Sequence, residues 1–248
     1  TETMEKITIV TVTYNCAAII EKTLISCINQ DYEDKEYIII DGGSTDGTLD
    51  IIKKYSPNIN YIISEPDKGI YDAMNKGLNI ATGDWIFFLN AGDKFYSNKT
   101  LSNLFQTNNN NDAILGNYYS VSNKGLVFHK IERPFYAKNH YYLSMGFNHQ
   151  CIFVKTQWAK KIMFDLSFKC CADYNMIYQM YKQGAIFEYK DIPVTVIEGR
   201  DGFSQRHVNI QRYEEARVLG KENDLLFKVY DIYKKTRAFI KKILNYQS

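Results

Sequence analysis

The first half of the chain alternates between short apolar runs and helical patterns. Residues 7–13 form a β-branched run that predicts a strand buried on both faces. Apolar residues with helical spacing follow it, at Ile19, Ile20, Leu24 and Ile28. Further strands are predicted over 37–40, 60–64 and 85–89, with helices over 49–55 and 71–81. This alternation predicts an α/β fold, a mostly parallel sheet with helices on both faces.

Polar segments follow the predicted strands. The strand over 37–40 leads into the glycine-rich segment 41–48, in which Thr45 or Asp46 is the expected N-cap of the next helix. The strand over 85–89 follows a helix with Gly83 as the expected C-cap, and it leads into a polar turn that ends at Asp93. Ligands of open α/β sheets bind beyond the carboxyl ends of the strands, so we expect the substrate site at these turns.

The second half of the chain has a different pattern. It predicts a hairpin of 113–121 with 125–129 and short helices at 101–105 and 158–163. A helix over 174–182 begins after Asp173. Strands are predicted at 151–154, 186–189 and 194–197. No linker divides the chain into independent domains, so we expect the later strands to extend the same sheet.

The glycine positions argue against two common nucleotide-binding folds. A dinucleotide-binding helix needs a glycine-rich turn after the first strand, whereas this chain has Tyr14-Asn15-Cys16 there. The glycines follow the second strand instead, and they lack the lysine of a phosphate-binding loop. We therefore predict neither a dinucleotide-dependent enzyme nor an NTPase.

Composition excludes further classes of protein. The formal net charge of +2 over 248 residues is too small to predict a nucleic-acid partner. The five cysteines lack the paired spacing of a zinc site and predict reduced thiols in a cytoplasmic protein. No apolar run reaches the ~20 residues of a membrane span, so we expect neither a signal peptide nor a transmembrane helix.

Four segments in order carry a resemblance to a known family: ITIVTVTYN, DGGSTDGT, EPDKGIYDAMNKG and WIFFLNAGD. They resemble glycosyltransferase family 2, the inverting enzymes of the GT-A fold that use nucleotide-sugar donors. The chain is similar to bacterial members that build capsule, exopolysaccharide or lipopolysaccharide O-chains. The resemblance implies a Rossmann-like sheet and a hexosyl- or N-acetylhexosaminyltransferase. It also implies a UDP-sugar donor and a saccharide or lipid-linked saccharide acceptor.

On this basis we divide the chain into two parts. Residues 1–207 are the expected GT-A catalytic domain, with a nucleotide-sugar-binding half over 1–98 and an acceptor-binding half over 99–207. Residues 208–248 are the expected helical extension.

The resemblance assigns the donor site to the ends of the first strands. Asp41 is expected to accept hydrogen bonds from the uracil imide and the ribose, although an Asp here also commonly binds the amides of its own turn. Asp72 would help to hold the donor, and Asn75 lies three residues later on the same helical face. The other expected donor-binding residues are Thr11, Thr13, Tyr14, Lys68 and Asn90. Ordinary strand positions would explain Thr11 and Thr13 equally well, and simple exposure would explain Lys68.

Asp93 is the expected metal ligand. A carboxylate together with diphosphate oxygens suits a hard divalent cation, Mn²⁺ or Mg²⁺, which would offset charge on the leaving group. The chain departs from the family's Asp-x-Asp pattern, because Asn90 and Gly92 stand where carboxylates are expected. His149 could add a neutral imidazole ligand, although a single His before a strand is more often structural.

Asp173 is the expected general base. Inversion needs a carboxylate within reach of the acceptor hydroxyl, and the resemblance matches Asp173 to the family's acidic residue at the start of a late helix. The alternative interpretation is a helix N-cap.

Arg200, Ser204, Arg206 and His207 lie in a loop that could close over the donor, where the two arginines would stabilise the diphosphate. An exposed polar loop would explain the same residues.

The last segment predicts a basic amphipathic helix from residue 225 onward. Leu226, Val229 and Ile232 share one side of it, and lysines lie elsewhere. Such a helix can lie on the inner face of an anionic cell membrane. Packing on the catalytic domain, or on a second subunit in a homodimer, would explain the same stripe.

Two other functions stay open at this point. A nucleotide-sugar-binding protein that has lost catalysis would explain the missing carboxylates at Asn90 and Gly92. A nucleotidyltransferase has a similar sheet topology, but it usually needs a basic, glycine-rich loop after the first strand.

Overall fold

Strands from both halves of the chain form one sheet. The computed structural model describes residues 4–106, 110–131, 135–138, 142–145, 148–198 and 206–245. Within these parts the sheet has nine strands: β1 (Ile7–Thr13), β2 (Lys35–Asp41), β3 (Tyr61–Ser64), β4 (Trp85–Phe88), β5 (Lys94–Phe95), β6 (Ala113–Ser122), β7 (Gly125–His129), β10 (Ile152–Lys155) and β11 (Phe187–Ile197). A separate antiparallel pair consists of β8 (Phe135–Lys138) and β9 (Tyr142–Met145).

Eight α-helices accompany the strands in the described parts of the chain. They are α1 (Ile20–Ile28), α2 (Thr48–Lys54), α3 (Ile70–Ile80), α4 (Thr100–Leu104), α5 (Thr156–Ile162), α6 (Ala172–Lys182), α7 (Val208–Val218) and α8 (Leu225–Asn245). Short 3₁₀ turns cover Ser56–Asn58 and His149–Cys151.

The strand order β3-β2-β1-β4-β10-β6-β11-β5 separates a parallel side from a mixed side, and β7 pairs with β6. On the parallel side Thr13 pairs with Asp41 and Asp41 pairs with Ser64, so β1, β2 and β3 end in register. β10 runs antiparallel to both β4 and β6 and connects the two sides. The predicted α/β class is therefore confirmed, and the later strands do extend the same sheet.

The core explains why the apolar runs become central strands. All seven residues of β1 are buried between the helices on its two faces. Aromatic rings fill the region where β4 meets β10, with the rings of Phe87 and Phe153 stacked at 4.2 Å between centroids. The Phe105 ring packs edge-on against both Phe153 and Trp85. All five cysteines are free, and four of them are buried, as reduced thiols were predicted to be.

Two predicted helix caps are wrong. α3 ends at Ile80 with Ala81 as its C-cap, and the amide of Gly83 donates instead to Thr8 Oγ1 at 2.9 Å. α2 has Gly47 as its N-cap, in the left-handed conformation with φ 94°. Asp46, one residue earlier, still binds the helix start, because its Oδ1 accepts from the Thr48 amide at 3.0 Å.

The two strands predicted at 186–189 and 194–197 are one strand, β11. Its pairing with β6 shifts register on both sides of Pro193. Proline has no amide hydrogen to donate to a ladder, so the irregularity falls at this residue. The sequence pattern showed the interruption but not the pairing that continues across it.

The helices after the sheet are anchored to the segment just before α6. The buried carboxylate of Glu214 on α7 accepts from the amides of Lys169 at 2.7 Å and of Cys170 at 2.7 Å. α8 in turn joins α7 through an ion pair of Arg212 with Asp231 at 2.7 Å, and the ring of Phe227 on α8 is buried. No helix in the described parts of the chain is long and apolar enough to cross a membrane.

α3 packs closely on the sheet at Gly77. A Cβ at this position would lie 2.5 Å from Val10 Cγ1, and Val10 is buried with a stiff β-branched side chain. We expect Gly77→Ala to lower the free energy of unfolding by about 1–3 kcal/mol through overpacking. Urea denaturation measures this change.

The control is Asn79→Ala, an exposed position on the same helix. Helix propensity alone would make both substitutions stabilising, by at most about 1 kcal/mol. A stabilised Gly77→Ala protein would contradict the close contact.

Candidate active site

The predicted site residues of β1 are buried beneath the carboxyl edge of the sheet. Thr11 is fully buried, and its hydroxyl lies 3.1 Å from Tyr37 Oη. Thr13 Oγ1 lies 2.6 Å from Cys16 Sγ. Tyr14, the next residue, is 64% exposed. Of the three, only Tyr14 has an exposed side chain.

Asp41 is occupied by its own turn. The residue is fully buried, and its Oδ2 accepts from the amides of Gly43 at 3.1 Å and Ser44 at 2.9 Å. The hydroxyl of Ser64 donates to Oδ2 at 2.7 Å, and that of Ser44 donates to Oδ1 at 2.5 Å. Donor binding by Asp41 stays a prediction: Oδ2 already accepts three hydrogen bonds, whereas Oδ1 accepts one, from Ser44.

The polar residues of α3 do not converge on one point. Asp72 Oδ2 accepts from the Lys68 amide at 2.9 Å. Asn75 pairs with the backbone of Phe164, accepting at 2.9 Å and donating at 2.8 Å. The side chain of Lys68 is exposed. The shared helical face was predicted correctly, but in the structure the two side chains have separate partners.

Asp173 lies at the centre of a polar cluster. Its Oδ2 is 2.7 Å from His149 Nδ1, and its Oδ1 accepts from Tyr71 Oη at 3.1 Å and from the Tyr174 amide at 2.9 Å. The N-cap of α6 is Cys171, so the alternative interpretation of Asp173 as the N-cap is wrong. Glu214 binds the backbone just before α6 and thereby fixes the segment that presents Asp173.

Electrostatics keep this cluster charged. Burial opposes ionisation of both His149 and Asp173, but the electrostatic attraction and the hydrogen bond between these two side chains outweigh the effect of burial. The pKa of His149 is therefore raised and that of Asp173 is lowered. Burial next to Asp173 also raises the pKa of Tyr71, so its phenol stays protonated and donates. Tyr71 was predicted only to pack inward, and no local pattern indicates its hydrogen bond to Asp173.

Asn90 connects the cluster to the turn after β4. Its Nδ2 lies 3.3 Å from His149 Nε2, and its Oδ1 is buried without a hydrogen-bond partner among the described residues. A half-turn of the Asn90 amide exchanges the places of its oxygen and nitrogen. After this turn, Asn90 Oδ1 accepts a hydrogen bond from a protonated His149 Nε2. His149 would then bridge Asp173 and Asn90 as an imidazolium.

An apolar cavity lies beside Asp173 and His149. Its other walls come from α3, β4, β10 and α6, and they include Met74, Phe88, Phe164 and Ile177. An apolar wall excludes water next to the carboxylate, which strengthens its electrostatic interactions.

The hydrogen bonds of Asp93 and His149 in this structure do not fit the metal predicted between them. Asp93 is 5% exposed, its Oδ1 accepts from the Glu198 amide at 2.8 Å, and its Oδ2 accepts from Gln150 Nε2. His149 faces Asp173 instead of Asp93. Across the described residues, no group of three or more His, Cys, Asp or Glu side chains could hold a metal ion.

Two lysines that were not predicted as site residues lie next to the turn that ends at Asp93. Lys22 and Lys94 both form ion pairs with Glu198, the latter at 3.2 Å. Lys94 directly follows Asp93 and could have been noticed for that reason, whereas Lys22 is far from the motifs in sequence.

Arg206 is exposed at the start of the last described segment. Arg200, Ser204 and the rest of the loop 199–205 lie outside the described residues.

The ion pair of His149 and Asp173 predicts a pH-dependent stability. A raised histidine pKa stabilises the fold fully below about pH 6.5 and less as the pH rises through the raised value. A lowered carboxyl pKa stabilises it above about pH 4 and less as the pH falls through the lowered value. We expect His149→Asn, which keeps a neutral donor near Nδ1, to be less stable than the parent by about 1.5 kcal/mol near pH 5.5.

This difference should shrink towards zero at pH 9, because a neutral histidine and an asparagine then donate to Asp173 alike. Urea denaturation of both proteins across pH 5–9 measures it. A difference that stays constant with pH would contradict the ion pair.

Comparison with known proteins identifies the family of the chain. The chain matches the model for glycosyl transferase family 2 over residues 8–170. It is 44% identical over 93 residues to a PGL/p-HBAD biosynthesis glycosyltransferase of Mycobacterium bovis, a match that covers 36% of each protein. The chain therefore aligns with only about a third of that relative's length.

Solved structures share the fold. S. aureus TarS 1–349 in complex with UDP superposes with a TM-score of 0.66 at 21% identity, over 88% of this chain and 65% of that one. The mannosyltransferase PcManGT from Pyrobaculum calidifontis, in complex with GDP-Man and Mn²⁺, gives a TM-score of 0.64 at 17% identity, over 89% of this chain and 64% of that one. The predicted GT-A type of sheet is thus confirmed. With two thirds of its sequence matched by the family model, the chain belongs to glycosyltransferase family 2.

Proposed function

We propose that the chain is an inverting glycosyltransferase with Asp173 as its general base. It would move a hexosyl or N-acetylhexosaminyl group from a UDP-sugar to a saccharide or lipid-linked saccharide in bacterial surface polysaccharide biosynthesis. The observation that carries this proposal is the contact of Asp173 with His149 and Tyr71 beside an apolar cavity. A carboxylate that is ionised, oriented and next to a water-poor space suits a base for a sugar hydroxyl.

The reaction follows from this placement. The acceptor hydroxyl donates its hydrogen bond to Asp173 Oδ2, whose remaining lone pair is not used by His149. The hydroxyl oxygen attacks the anomeric carbon from the face opposite the diphosphate, and its proton passes to Asp173 as the new bond forms. The bond from the anomeric carbon to the diphosphate breaks with its electron pair on the diphosphate oxygen. A single displacement of this kind inverts the anomeric configuration.

His149 and Tyr71 act on Asp173 rather than on the sugar. The imidazolium keeps Asp173 free of its proton at neutral pH, which a base requires. Tyr71 holds Oδ1 and stacks its ring on Phe164, with 5.7 Å between centroids. Together they fix the direction in which Oδ2 accepts.

The donor class rests on two kinds of support. The structural neighbours are complexes with UDP and with GDP-Man, both nucleotide ligands. In this chain the ends of β1, β2 and β3 meet in register, which makes a common edge for a nucleotide. For the leaving diphosphate we propose the cations Lys68, Arg200 and Arg206. No step is assigned to a metal, because Asp93 and His149 do not form a cation site by themselves.

One observation favours a second function. Asn90 and Gly92 replace the expected carboxylates, so a nucleotide-sugar-binding protein without catalysis would have the same turn. Such a protein would bind a donor but would not turn it over.

The substitution Asp173→Asn distinguishes these functions. We expect it to lower the turnover number by roughly 10²- to 10⁴-fold while UDP still raises the melting temperature, because Asn cannot take the proton. Release of UDP from UDP-glucose and UDP-GlcNAc, measured with a panel of saccharide acceptors, gives the rates. NMR of the product gives its anomeric configuration, which should be opposite to that of the donor.

The matched control is Tyr71→Phe, which removes one donor to Asp173 and keeps the ring on Phe164. It should cost roughly tenfold or less, the effect of one hydrogen bond. Near-normal turnover by Asp173→Asn would remove Asp173 as the base, and UDP binding without turnover by the parent would favour the second function.

We also propose that α8 contacts an anionic membrane surface, where a lipid-linked acceptor would lie. The side of α8 opposite Phe227 is exposed and apolar, with Leu226 at 63%, Val229 at 59% and Ile232 at 64%. Lysine and arginine flank this side, at positions that include Lys228, Lys235 and Arg237. Like charges on both flanks would repel a second copy of the helix, whereas anionic lipid complements them.

We expect the protein to sediment with vesicles that contain phosphatidylglycerol and not with vesicles of phosphatidylcholine alone. Replacing Leu226, Val229 and Ile232 together by Gln should weaken this binding roughly tenfold or more, since three apolar side chains lose their burial in lipid. Leu126→Gln on β7, also exposed, serves as the control. Unchanged vesicle binding would contradict the proposal, and a change of oligomeric state in the triple variant would identify a second copy as the partner.

A further inference from the structure

The cavity beside Asp173 has room for one small group. Its volume is about 20 Å³, enough for a single group of the size of a water molecule or a methyl group. Among the described residues that line it, Asp173 and His149 are the polar ones. The rest of the wall is apolar and comes from strands β4 and β10 and from the helices packed on them, with Ile86, Ile152, Val154 and Met176 among its residues.

The exposed part of this lining lies at the candidate base. The apolar wall residues are all buried, and none of them is more than 7% exposed. The side chains of His149 and Asp173 are 26% and 13% exposed. A ligand whose hydroxyl contacts Asp173 can therefore place a neighbouring group in the cavity.

The chemistry of the lining disfavours water as the occupant. A buried water molecule typically makes about three hydrogen bonds. Asp173 Oδ1 already accepts from Tyr71 and from the Tyr174 amide. The two ring nitrogens of His149 face Asp173 Oδ2 and the Asn90 amide. The remaining acceptor position of Oδ2 is the one that the proposed reaction gives to the acceptor hydroxyl, so the cavity suits a group that needs no hydrogen bond.

We propose that this cavity binds the methyl group of a 6-deoxyhexose, and that the hydroxyl on C4 of this sugar is the acceptor. The assignment rests on the transferase function and on the base proposed above. The methyl group is attached to C5, the ring carbon next to C4, so a C4 hydroxyl that donates to Asp173 holds the methyl group beside it. A hexose has a hydroxymethyl group in the same place. Its oxygen would be buried against apolar walls without a partner, which costs free energy.

Pairs of acceptors that differ only in the oxygen on C6 test this assignment. They are the methyl glycosides of L-fucose and L-galactose, of L-rhamnose and L-mannose, and of 6-deoxyglucose and glucose. In at least one pair we expect the 6-deoxy member to have a kcat/KM roughly ten- to a hundredfold higher, measured as UDP release from UDP-glucose or UDP-GlcNAc. NMR saturation transfer with UDP present should show that the methyl protons of this sugar receive more saturation from the protein than its ring protons do.

Two substitutions in the wall change the cavity in opposite directions. Val154→Ile adds a methylene to the wall and should remove most of the preference for the 6-deoxy sugar, while UDP still raises the melting temperature. Ile152→Val removes a methylene, which makes room for the hydroxymethyl group, and should reduce the preference by improving the use of the hexose. The matched control is Val218→Ile on α7, a buried valine that does not line the cavity, which should leave the preference unchanged.

The outcomes separate this assignment from the proposed function. Equal use of both members of every pair overturns the methyl site and leaves the transferase proposal intact. A preference that both wall variants retain also overturns it, because the preference then arises elsewhere. If Val154→Ile does not fold, Ile152→Val alone decides. Neither nucleotide binding nor UDP release by the parent protein overturns the transferase function and the methyl site together.

Discussion

The ion pair of Asp173 with His149 ties the start of α6 to the turn before β10, and the candidate site depends on it. Asp173 is the second residue of α6, and Tyr71 reaches it from α3. Removing one charge from a mostly buried pair leaves the other without compensation, which is costly. The contact that keeps Asp173 ionised therefore also holds α6 in place, and the hydrogen bond from Tyr71 ties α6 to the first half of the chain.

The carboxylates of this chain divide according to what their oxygens bind. Those of Asp41 and Asp93 are buried and bind protein donors through both oxygens, so they hold the turns after β2 and β4 in place. Asp173 also binds through both oxygens, but two of its partners are the side chains of His149 and Tyr71 from other segments, and it borders the apolar cavity. Asp41 and Asp93 therefore hold the edge of the sheet, whereas Asp173 lies beside a cavity. Motif position alone does not separate them, because Asp41 and Asp93 lie in the most distinctive segments.

Local patterns predicted the parallel side of the fold well and the contacts between distant residues poorly. The strands over 7–13 and 85–89 follow from burial on both faces, a property of each segment by itself. The continuity of β11 depends on its pairing with β6, and the role of Gly83 depends on the side chain of Thr8 in β1, so neither could be predicted locally. The site shows the same limit. Asp173 was predicted as the general base and His149 as a metal ligand, since nothing within either segment indicates that the two meet.

The asparagine at position 90 is chemically matched to this histidine. Its side-chain amide lies 3.3 Å from His149 Nε2, on the opposite side of the ring from Asp173. A carboxylate here would compete with Asp173 for the imidazolium and would raise the charge of a poorly solvated cluster. A neutral amide can instead accept from Nε2 while Nδ1 stays with Asp173. The departure from the family's Asp-x-Asp pattern is then consistent with the proposed catalysis, because the residue at this position keeps the histidine directed at Asp173.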